Sequence, residues 1–184
     1  EWAASGARQK PQGDRHMDVR FINPFIESVC NTFETMCGLK VTIGKPELKT
    51  TSDPLCDVSG VIGFSGGAAG SVVLHYAFDV ASKVATAFAG VDITTEHEDF
   101  ADAIGELTNI IAGGAKSKFE GLNISISLPN VIIGKNHNVS PSKSAPRLII
   151  PCKTDIGTFY VEVGMVLAGQ AGGAKQAATA GANA

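Results

Sequence analysis

Residues 58–76 read VSGVIGFSGGAAGSVVLHY, and the SGGAAG at 65–70 is either a phosphate cradle or a strand connection. A Walker-type cradle needs a lysine behind its glycines and a helix opening after them, so that backbone N–H groups and an ammonium share the anion. Here no lysine follows the glycines, and Val72, Leu74 and Tyr76 alternate as in a strand. Val58, Val61 and Phe64 precede them in another extended run. Two such runs joined by small residues make an antiparallel hairpin, so the stretch is read as a strand pair.

Outward from that hairpin, the chain alternates between two periods. On the N-terminal side, Asn23-Pro24 predicts a helix start, since Asn can cap free N–H groups and proline suits a first turn. Phe25, Ile26, Val29, Cys30, Phe33 and Cys37 follow at helical spacing until Gly38 offers a left-handed stop, and Val41 and Ile43 then begin a strand. On the C-terminal side, Asp79 is placed to cap a short helix closing at Gly90. Thr95 and Glu98 have capping-box spacing for a longer helix. NISISLPNVIIG (123–134), RLIIPCKT (147–154) and FYVEVGMVL (159–167) complete a second strand series. The order α-β-β-β-α-α-β-β-β predicts an α+β fold: one antiparallel six-stranded sheet with its helices packed on one face.

The 184 residues suit one domain, placed at 17–167, and the 44% hydrophobic content can fill its core. Residues 1–16 are polar and read as a tag or disordered arm, and 168–184 as a Gly/Ala-rich tail. No apolar run approaches the roughly 20 residues that cross a bilayer, so a soluble, cytoplasmic protein without a membrane partner is expected. A net charge of −3 with scattered Lys and Arg argues against nucleic acid. Cys30, Cys37, Cys56 and Cys152 form no CxxC pair, and reduced thiols are expected, with Cys30 and Cys37 as core fillers on one helix face. His75 falls in a strand, His97 in a helix first turn and His137 in a polar loop, without ligand spacing, so each is read as structural or solvated and no metal site is expected.

The longer helix carries IGELTNIIAGG at 104–114. On a helical wheel Phe100, Ile104, Leu107, Ile111 and Ala115 gather on the buried side, opposite Asp99, Asp102, Glu106, Asn109, Gly113 and Lys116. Glu106 and Asn109 stand one turn apart, and Gly105, Ala112 and Gly113 put little bulk around Asn109. Interior glycines cost about 1 kcal/mol each relative to alanine, so they need a reason. Either they pack against a neighbouring helix or end this one beneath a merely solvated face, or a partner must come close to Asn109. A carboxamide does not titrate near neutrality, so Asn109 can orient a group but cannot serve as general base. Orientation of an attacking water is sufficient in phosphoryl transfer. There is no Walker loop, HExxH or clustered ligand set, so any further catalytic parts must come from another molecule.

FSGGAAGSVVLHY (64–76), DFADAIGELTNIIAGGAKSKFEG (99–121) and NISISLPNVIIGK (123–135), in that order, resemble the CheC/CheX family of chemotaxis phosphatases over about residues 17–167. The motif Asp102-x3-Glu106-x2-Asn109 followed by Pro129 carries the likeness. It implies a protein aspartyl-phosphate phosphatase acting on a CheY-like response regulator. By that resemblance Asn109 positions the attacking water and Glu106 pairs with a regulator lysine, while the regulator supplies its own Mg²⁺ and this chain binds no cofactor. Asp102, Gly105 and Gly113 are then candidate partner-binding positions. The CheC branch carries a second motif on its first helix; here Glu27 and Asn31 are four apart and no ExxN occurs there. A single site resembles the CheX branch and implies a homodimer. Pro129 is assigned a turn or strand-edge role without chemistry. The alternative is a non-catalytic module of the same fold that docks a response regulator or flagellar-switch partner.

Overall fold

The computed structural model describes residues 21–49, 56–139 and 146–168. The arm expected over 1–16 and, beyond Ala168, the tail expected over 168–184 lie outside the described residues. Among the described residues three helices pack on one face of an antiparallel sheet, the expected α+β fold. In chain order the elements are α1 (Ile22–Cys37), β1 (Thr42–Ile43), β2 (Glu47–Leu48), β3 (Cys56–Gly66), β4 (Ala68–Tyr76), α2 (Phe78–Ala89), α3 (Phe100–Lys116), β5 (Ile124–Ile126), β6 (Asn130–His137), β7 (Leu148–Thr154) and β8 (Gly157–Leu167).

Among the described residues the sheet has eight strands in place of six, because two of the expected strands are each interrupted. The one begun at Val41 becomes β1 and β2, both paired with β7. NISISLPNVIIG breaks at Ser127-Leu128-Pro129 into β5 and β6, both paired with β3. Pro129, which has no N–H to give a ladder, lies in that break. The order along the sheet is β1-β7-β8-β4-β3-β5. The opening stretch is indeed a hairpin: β3 and β4 pair from Val58↔Tyr76 to Phe64↔Gly70 and turn at Gly66, whose φ of 96° suits glycine.

Strand alternation sorts the two faces. Val58, Ile62 and Phe64 of β3, Val72 and Leu74 of β4, and Phe159, Val161 and Val163 of β8 lie in the core with Phe25, Val29 and Phe33 of α1. Phe33 stacks on Phe159 with ring centroids 4.5 Å apart. Helix α1 ends as expected at Gly38, φ 67°, whose N–H donates to the Phe33 carbonyl. Cys37 packs at the edge of the core, and Cys30 is half-buried beside it on the helix.

The N-terminal caps differ from those expected. Phe21, not Asn23, is the cap position of α1, and Asn23 is already helical. For α2 the free N–H of Phe78 donates to Asp57 Oδ2 on β3 at 3.3 Å, so the cap comes from the sheet and not from Asp79. The Thr95/Glu98 box does not form; α3 begins only at Phe100, after a turn in which the Asp99 N–H donates to His97 Nδ1 at 3.2 Å.

Candidate active site

Helix α3 is held from below by Phe100, Ile104, Leu107, Ile111 and Ala115, all buried as the wheel predicts. Thr108 is buried too, its Oγ1 donating to the Ile104 carbonyl at 2.7 Å. Its hydroxyl occupies the space a side chain on Gly60 of β3 would need, so helix and strand meet closely. The opposite stripe faces outward: Asp102, Glu106 and Lys116 are exposed, and Asn109 and Gly113 are half-buried. The side chains of Glu106 and Asn109 make no hydrogen bond or ion pair with any other described residue. A carboxylate and a carboxamide therefore project side by side, unspent, from a rigid base.

The three glycines divide between the two explanations offered for them. At Gly114 an added Cβ would displace the hydroxyl of Ser28 on α1, which donates to the Ile111 carbonyl at 2.8 Å; this glycine lets α1 close on α3. Gly105 was expected to clear space for a partner, but it is buried, and its missing Cβ would touch Val131 at 3.4 Å and Pro129 at 3.6 Å. One residue rotates the helix by about 100°, which turns Gly105 from the Glu106 stripe onto the flank facing β6. Only Gly113 opens to free space on the stripe itself. Pro129 sits between β5 and β6 as a structural wedge.

These placements carry a stability test. Gly114→Val should lower unfolding free energy by about 1–3 kcal/mol through overpacking against Ser28. Gly113→Ala should leave stability unchanged or raise it by up to about 1 kcal/mol. Urea titrations of the two variants check this contrast; equal destabilisation would contradict the assignment.

On the other face of the sheet lies a polar cluster that the sequence reading did not assemble. Glu162 of β8 is fully buried; its Oε2 accepts from Lys49 Nζ at 2.9 Å and from His75 Nε2 at 2.7 Å, and Arg147 Nε contacts its Oε1. His137 lies at the end of β6, not in a loop. Its Nδ1 donates to the Gly134 carbonyl at 2.7 Å, which leaves Nε2 to accept from Ser59 Oγ, also at 2.7 Å. With His75 Nε2 committed to Glu162, its Nδ1 accepts, and the Cys56 thiol 3.1 Å away donates. Burial would raise the Glu162 carboxyl, but the bonds from His75 and Lys49 and the charge of Arg147 outweigh it and hold the carboxyl down at about 2. Burial lowers His75 despite its contact with Glu162, so the imidazole is neutral near pH 7. Burial also raises the Cys56 thiol. Among the described residues no group of three or more His, Cys, Asp or Glu is arranged to hold a metal. One sequence signal pointed here: Glu162 is a lone charge in the apolar run FYVEVGMVL, and a buried charge demands partners.

The fold is an α+β domain in which one helix carries an outward acid–amide pair. The family described as chemotaxis phosphatase CheX matches residues 58–153, just over half of the chain. A CheY-P phosphatase CheX from Thermotoga maritima is 32% identical over 123 residues, which is 65% of this chain and 79% of that one. The crystal structure of a chemotaxis protein CheX from Desulfovibrio desulfuricans is 34% identical with a TM-score of 0.73, covering 80% of this chain and 98% of that chain. The CheX-CheY-BeF3-Mg complex from Borrelia burgdorferi, at 24% identity and a TM-score of 0.68 over 80% of this chain and 99% of that chain, shares the fold. The chain belongs to the CheX family of chemotaxis phosphatases. It is accordingly a protein phosphatase, a hydrolase. No helix among the described residues is long and apolar enough to cross a membrane.

Proposed function

We propose that this phosphatase hydrolyses the aspartyl phosphate of a CheY-like response regulator, with Asn109 positioning the attacking water and Glu106 contacting a lysine of the regulator. The observation that carries the reading is the outward, unbonded pair on α3. The Thermotoga relative is named for this substrate, and the Borrelia CheX was crystallised with CheY, BeF3 and Mg. In this reading the regulator holds Mg²⁺ and the phosphorylated aspartate, and the amide of Asn109 supplies orientation without acid–base work. Asp102, one turn before Glu106, is a further partner contact, and Gly113 keeps the approach to Asn109 open. The protein acts in the cytoplasm as a homodimer.

The test is phosphate release from a phosphorylated CheY-like regulator with and without the purified chain. Acceleration supports the phosphatase reading; tight binding with no acceleration would mark the non-catalytic docking module instead. Glu106→Ala is expected to weaken binding of the regulator and slow turnover together, since one charge-assisted contact is worth about 1.5–3 kcal/mol. Titration against a beryllofluoride-loaded regulator reads the binding share, and sedimentation at several concentrations reads the dimer.

A further inference from the structure

Strand β6 runs beside α3, and its register shows which side chains share the helix's face. Val131 pairs with Gly60, which lies under Thr108 of α3, and Ile133 pairs with Val58 in the core. Directly paired residues point to the same face, so Val131 and Ile133 both project toward the helices. Val131 and Pro129 fill the flank of α3 at Gly105, the residue before Glu106. Ile133, at the far end of this row, is 46% exposed and Leu128, the residue before Pro129, is 85% exposed, and among the described residues no strand pairs with the outer edge of β6.

Leu128 is exposed but fixed. The Ser127 N–H donates to the Gly63 carbonyl at 2.9 Å, the Gly63 N–H donates to Ser127 Oγ at 3.0 Å, and that hydroxyl donates to the Leu128 carbonyl at 2.8 Å. An apolar side chain on a pinned backbone loses little freedom when a partner covers it. Two polar side chains cannot make an interface by themselves, since a stable one buries about 800 Å² on each partner. A molecule seated on Glu106 and Asn109 must extend over their surroundings, and the apolar row alongside Gly105 is continuous with them.

We propose that Leu128 and Ile133 form an apolar ledge on which the receiver domain of the phosphorylated regulator rests, and that this ledge sets affinity while Asn109 sets rate. The inference rests on the phosphatase reading above. Its test uses a regulator whose dephosphorylation is lost with Asn109→Ala, and compares wild type, the double variant Leu128→Ala/Ile133→Ala and the single variant Leu128→Asp. Both positions are exposed, and circular dichroism checks that the fold is kept. The expected result is a rise of about tenfold in KM and in the Kd for the beryllofluoride- and Mg²⁺-loaded regulator, with kcat within about twofold. Unchanged KM and Kd overturn the ledge while leaving the phosphatase reading intact. A variant that dissociates the dimer in sedimentation without changing Kd assigns the ledge to a second copy and also overturns it. If the purified chain accelerates no regulator's dephosphorylation, the phosphatase reading fails and the ledge falls with it.

Discussion

Asn109→Ala is expected to reduce the stimulated dephosphorylation rate about 100-fold or more while leaving the protein as stable as wild type. The magnitude follows from what a preorganised polar donor is worth at a transition state, where loss of one donor typically costs about 10²–10³ in kcat. Stability should not change because the Asn109 side chain is half-buried on the outer stripe and bonds to no other described residue. The defect should appear in kcat, since regulator affinity is assigned to Glu106 and to the surface beside it. Asn109→Asp sharpens the test: it keeps the shape but sets a carboxylate against an aspartyl phosphate, so like-charge repulsion should prevent rescue. Single-turnover phosphate release at saturating enzyme, with thermal melts in parallel, reads both halves. An unchanged rate would remove the assigned role of Asn109 outright.

The architecture was legible because periodicity survives in single segments. The period of two in 72–76 and the 3.6-residue period of 100–115 each reflect one face turned to one core, and both reappear as β4 and α3. Capping was less legible, because tertiary donors compete with local ones. Asp57 reaches α2 from the sheet, and the His97 turn takes the place of the Thr95/Glu98 box. The outward pair of Glu106 and Asn109 was visible on the wheel, but the glycines around it were not separable there. Gly105, Gly113 and Gly114 look alike in sequence and differ only in what stands against them: β6, open space and Ser28. The Glu162 cluster was still less accessible, since Lys49, His75 and Arg147 are brought together only by strand order and by segments crossing the sheet.

That cluster yields the second large effect. Glu162→Gln is expected to destabilise the fold by about 3–5 kcal/mol, the usual consequence of removing one partner from a buried ionic set. Against a typical total of about 5–15 kcal/mol this is a severe loss. The cause is specific: Lys49 and Arg147, whose side chains are only 11% and 6% exposed, would keep their positive charges with no carboxylate between them. The effect of pH has a definite sign. Glu162 has its carboxyl depressed from 4.5 to about 2 in the folded state, so its stabilisation is complete above about 4.5 and is lost as pH falls toward 2. His75 is lowered from 6.5, so the unfolded chain takes up that proton first and acidification below 6.5 also favours unfolding. Wild-type stability in urea should therefore decline from about pH 6.5 downward and steepen below about 4.5. In Glu162→Gln the steep limb due to this carboxyl should vanish, and the whole curve should start lower, with the urea m-value unchanged. A variant as stable as wild type at pH 7, or one with the same acid limb, would show that the Glu162 carboxylate does not stabilise the fold through Lys49, His75 and Arg147.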